Sequence, residues 1–73
     1  MIYNKLCSDL KECQSLIEIC KKQLWEGRLL QKLSPKNYWD IESEIDVIIN
    51  HLIDLIILRN RLKKQINELT QGN

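Results

Sequence analysis

In the first half of the chain Tyr3, Leu6, Leu10, Cys13, Ile17, Cys20 and Leu24 follow one another at alternating spacings of three and four residues. That rhythm is the heptad period of packed helices and places all seven on one face. Ile41, Ile45, Ile48, Leu52, Leu55, Arg59, Leu62, Ile66 and Leu69 keep the same rhythm in the second half, with Arg59 the single polar break. The two stripes predict helices over about residues 2–32 and 35–70 with a turn at about 33–35, so the whole chain, 1–73, reads as one all-α domain. A connection this short makes the helices antiparallel neighbours, a coiled-coil-like two-helix hairpin. The expected register sets Leu24 near Ile45, Cys20 near Ile48, Ile17 near Leu52, Cys13 near Leu55 and Leu6 near Leu62.

The stretch "KLSPKNY" carries the signals of a turn that feeds a helix. Ser34 can cap, Pro35 suits the first helical position, and Leu33 can staple onto Tyr38. Asp40, Glu42, Glu44 and Asp46 then precede Arg59, Arg61, Lys63 and Lys64, the polarity a helix macrodipole favours. Gly27 falls at the next stripe position after Leu24. There it weakens a helix by about 1 kcal/mol relative to Ala but lets another backbone come close, so close packing or a local break is expected.

A chain of 73 residues lies near the lower limit for burying a core alone, and completion by a second copy or by a partner is expected. The net charge of +1 provides no field to concentrate nucleic acid, and the cations form no stripe with interleaved aromatics. The opening "MIYNKLCSDLKEC" lacks a basic flank, an apolar core and a small-residue cleavage site, which points to a cytoplasmic location. "VIINHLIDLIIL" is too short to cross a bilayer and holds Asp54 near its middle, so no membrane insertion is expected.

Little in the sequence reads as reaction chemistry. On a helix Cys13 and Cys20 stand about 10 Å apart, beyond disulfide reach, and the cysteine spacings fit no zinc set. The cysteines read as small apolar fillers, with no metal and no cofactor expected. His51 sits at the edge of the apolar arc. The carboxylates from Asp40 to Asp46 spread over several helix faces, and no nucleophile has a base at motif spacing, so no enzymatic activity is expected.

Ile49, Ile53, Ile56 and Ile57 stand apart from both stripes. Together with Leu52 and Leu55 they sweep roughly 200° of the second helix at about 100° per residue, wider than one narrow helix covers. These four isoleucines are the expected partner-binding residues.

Some short segments resemble known families. "IESEIDVIINHLIDLIILRNRL" is similar to the first helix of small all-α chorismate mutases through Ile45, Asp46, Leu52, Leu55 and Arg59, with Glu42 where those enzymes carry a catalytic arginine. "ESEID" is similar to a motif of the small sporulation aspartyl-phosphate phosphatases through Glu44, Ile45 and Asp46. "WEG" at Trp25 to Gly27 is similar to the WxG loop of small secreted hairpin proteins, but falls well before the turn, and Trp25 is expected to pack.

The longest likeness runs through "KKQLWEGRLLQKLSPKNYWDIESEIDVIINHLIDLI". It resembles the small E-type co-chaperones of bacterial type III secretion, the YscE family, at Lys22, Leu24, Leu33, Pro35, Tyr38 and the isoleucine-rich run from Ile45 to Ile57. The resemblance implies a cytoplasmic hairpin that docks on a larger TPR-like chaperone, the two together keeping the needle subunit from polymerising before export. It implies masking of apolar surface and no catalysis. Two alternatives stay open: a self-associating helical bundle with a regulatory or structural role, formed by a homodimer, and the aspartyl-phosphate phosphatase.

Overall fold

The computed structural model describes residues 1–71, which form helix α1 (Ile2–Leu33), a single 3-10 turn (Pro35–Asn37) and helix α2 (Tyr38–Gln71). The two helices pack side by side into an antiparallel rod of 58 × 14 × 14 Å, and no strand occurs among the described residues. The all-α hairpin expected from the two stripes is the fold of the protein.

The core is the seam itself. Cys13, Ile17 and Cys20 from α1 meet Leu55 and Leu62 from α2, and Leu6, Leu10, Ile48, Leu52 and Ile56 pack at their edges. The register is fixed at mid-seam, where the Cys13 thiol donates a hydrogen bond to the Leu55 carbonyl at 3.1 Å. Further along, Gly27 holds its place in an unbroken α1 and faces Ile45, the most deeply buried side chain, at 1% exposure. Of the two outcomes expected for Gly27, close packing is the one realised. Leu6 and Leu62 line one recess at the open end.

The stripe frays at its extremities. Tyr3 and Leu69 are nearly half exposed, and at this open end the helices leave a recess lined by Ile2, Leu6, Leu62 and Leu69. The turn also differs from its expected form. Ser34 works through its backbone: its N–H donates to the Leu30 carbonyl at 2.8 Å and its carbonyl accepts from Asn37 N–H at 3.0 Å, while its hydroxyl caps nothing. Pro35 opens the 3-10 turn, so α2 starts at Tyr38, three residues later than expected. Leu33 is 71% exposed and staples nothing; Tyr38 instead meets its neighbour Trp39 edge to face, with ring centroids 5.1 Å apart. Trp25, expected to pack, is 67% exposed, since a continuous helix through "WEG" turns it well away from the seam.

The charge polarity of α2 is only half realised. Asp40 lies in the first turn, but the last turn carries no base, because α2 runs on past Lys64 to Gln71, and the dipole acts only within about one turn. Glu42 serves a different purpose, binding the two helices together.

Candidate functional site

Which part of α2 the hairpin leaves uncovered follows from angular distance to the buried Leu55. Ile56 and Ile49 lie about 100° and 120° round from it in the same sense, and both are half-buried, with Ile56 packed against the core cluster. Ile53 and Ile57 each stand two residues from Leu55, which is about 160° round the helix. They are 49% and 51% exposed. The four isoleucines thus form one continuous flank that passes from the edge of the core at Ile56, through Ile49 and Ile53, to the outer surface at Ile57.

A polar clasp closes this flank at the turn end. Glu42, Ile49 and Ile56 are spaced by sevens and so share one line along α2. The Glu42 carboxylate accepts hydrogen bonds from Gln31 Nε2 at 2.6 Å and from Arg28 at 2.8 Å. Gln31 is buried, and its amide is satisfied on both sides: Nε2 also donates to the Tyr38 carbonyl at 3.2 Å, and Oε1 accepts from Arg28 at 3.0 Å. Hydrogen bonding from Gln31, aided by the nearby Arg28 charge, holds the Glu42 carboxyl below the usual carboxylate range against a smaller opposing effect of burial. The clasp was missed at the sequence level, although a signal existed: the three-four rhythm continued past Leu24 lands on Gly27 and then on Gln31.

The opposite flank of the hairpin is also apolar, and the sequence reading did not single it out. Leu16 and Leu58 line an open groove above Cys13, Leu55 and Leu62. Leu30 and Val47 line a second above Gly27, Ile45 and Ile48. All four rim side chains are exposed.

Other sequence-level candidates disperse. All three cysteines are free thiols, Cys13 and Cys20 buried and Cys7 half-buried. His51 is exposed. Glu44 and Asp46, the acids shared with the phosphatase motif, point about 160° apart on either side of the buried Ile45, so they do not converge on one reacting centre. No group of three or more metal-ligating side chains gathers among the described residues. No described helix is long and apolar enough to cross a membrane.

No family model, curated protein or solved structure matches the chain.

Proposed function

We propose that the hairpin is a docking co-chaperone of type III secretion, whose isoleucine flank lies against a TPR-like chaperone in the cytoplasm and thereby helps keep a needle subunit unpolymerised until export. The observation that carries this reading is the half-exposure of Ile53 and Ile57 in a continuous strip with Ile49 and Ile56. Exposed apolar strips of this kind mark contacts with other proteins. The residue pattern shared with the YscE family supplies the kind of partner.

Magnitudes favour a broad contact over a point contact. Covering the exposed halves of Ile53 and Ile57 yields about 1 kcal/mol each, while association costs at least about 4 kcal/mol. A partner must therefore engage much of the flank.

Co-expression with a TPR-like chaperone and its needle subunit is the deciding experiment. A soluble ternary complex that Ile53→Asp disrupts, with helicity retained, supports the proposal. A second reading, the self-associating bundle, draws on the same exposed flank. Light scattering from the purified chain separates the two: a stable dimer or tetramer that Ile53→Asp dissociates favours self-association and removes the need for a chaperone partner.

A further inference from the structure

The flank opposite the isoleucines repeats its chemistry by sevens. Asp9, Leu16, Gln23 and Leu30 fall seven residues apart along α1, and all four line the two grooves on this side. Glu12 and Glu26, also lining them, are separated by two heptads, with the exposed Ile19 midway between. On α2, Glu44, His51 and Leu58 keep the same spacing. Positions related by sevens share one side of a packed helix, so the two grooves, which share no lining residue, follow one another along one flank and together make up the channel. From Asp9 to Leu30 it runs about 30 Å along α1.

The floor is apolar and the walls are acidic. Asp9, Glu12, Glu26 and Glu44 line the channel, and no lysine or arginine does. None of the four carboxylates has an ion-pair partner: the ion pairs among the described residues are Lys21 with Glu18 and Arg28 with Glu42. Asp9 also lines the recess at the open end together with Lys5, so one cation flanks the acidic wall there and the wall is most purely acidic from Glu12 to Glu44.

This charge pattern discriminates among occupants. A second copy packed face to face, in either direction, would set the Asp9–Glu12 end or the Glu26–Glu44 end against further carboxylates. Like charges so juxtaposed disfavour the contact. An amphipathic helix of about three heptads with apolar a and d positions and lysine or arginine beside them matches the channel in length, floor and walls.

We propose that the acid-walled channel binds a basic amphipathic helix of another protein, which lies along the hairpin as a third helix. This contact is separate from the isoleucine flank, so either proposal can fail without the other.

The probe is a fluorescent peptide of about 21 residues, with leucine at a and d and lysine at e and g. Its partner is the same peptide with glutamate at e and g. Anisotropy titrations with the intact protein are expected to show the lysine peptide binding at least about tenfold more tightly than the glutamate peptide. Joint substitution of Glu12, Glu26 and Glu44 by glutamine should weaken the lysine peptide at least about tenfold. Leu16→Gln with Leu58→Gln, which keeps every charge, should also abolish binding while circular dichroism stays helical, and Ile53→Asp should leave it unchanged. Equal binding of the two peptides, indifference to either set of channel substitutions, or loss of binding in Ile53→Asp would overturn the proposal. So would a homodimer in sedimentation that Leu16→Gln with Leu58→Gln dissociates.

Discussion

Ile45 occupies the space that a side chain at Gly27 would need: a Cβ built on Gly27 would lie 3.0 Å from Ile45 Cγ1 and 3.2 Å from Cδ1. Alanine at this position improves helix propensity by about 1 kcal/mol, but a methyl group forced into a filled site costs about 1 to 3 kcal/mol. Gly27→Ala is therefore expected to lower stability slightly, and to do so less in an Ile45→Val background, where the Cδ1 contact is removed although the closer Cγ1 one remains. Denaturant melts of the four proteins in the cycle check this. Strict additivity would show that the two residues do not share the space.

The clasp gives the hairpin a pH dependence with a definite sign. Glu42 is held below the usual carboxylate range in the folded chain, so near pH 4 the unfolded state binds more protons than the folded one. Its contribution is complete above the ordinary carboxylate value of about 4.3 and disappears as the pH falls through the lowered one. The thermal midpoint of Glu42→Gln should fall below that of the parent at pH 7, and the gap should close in strong acid. A gap independent of pH would mean that the carboxylate charge contributes nothing.

Arg59 interrupts the apolar stripe of α2, and its Nε is buried without a hydrogen-bond acceptor. A desolvated donor of this kind costs about 1 to 3 kcal/mol. Replacement by methionine, which keeps the length and removes the donor, should raise stability by about 1 kcal/mol, or about 4–8 °C in midpoint for a domain of this size. Calorimetry on Arg59→Met reads the shift directly, and a lowered midpoint would show that the guanidinium stabilises the seam.

The thiols should differ in reactivity. Cys7 is half-buried, whereas Cys13 and Cys20 are buried in the seam. Titration of the native protein with a chromogenic disulfide is expected to modify one thiol quickly and the other two only on unfolding. Rapid reaction of all three in native buffer would mean that the seam opens readily.

Two isoleucines three residues apart provide a control for the proposed docking flank. Ile56 packs on the core while Ile53 is half exposed. Aspartate at 56 should unfold a substantial fraction of the chain, whereas Ile53→Asp should change the thermal midpoint by no more than a few degrees. Circular dichroism melts check both. Equal destabilisation would place Ile53 in the core and withdraw it from the docking surface.

Two stripes of apolar residues determined by themselves that the chain is a helical hairpin and that Cys13 faces Leu55. Both follow from period and loop length, which depend on near neighbours along the chain. The width of the apolar arc on α2 likewise marked the isoleucines as a second surface. The sequence could not reveal which of those isoleucines stay wet. That depends on how far α1 wraps around α2, and the packed structure turns Ile56 inward and leaves Ile53 and Ile57 outside.

Tertiary packing alone decided the polar clasp and the acid-walled channel. Gln31, Arg28 and Glu42 come from two helices, and a glutamine in a helical sequence looks solvent-exposed until a facing carboxylate makes its burial tolerable. Leu16 and Leu58 likewise read as scattered surface residues on separate helices. They become one groove only when the antiparallel register sets them side by side, because concavity belongs to the pair of helices and to neither sequence segment alone.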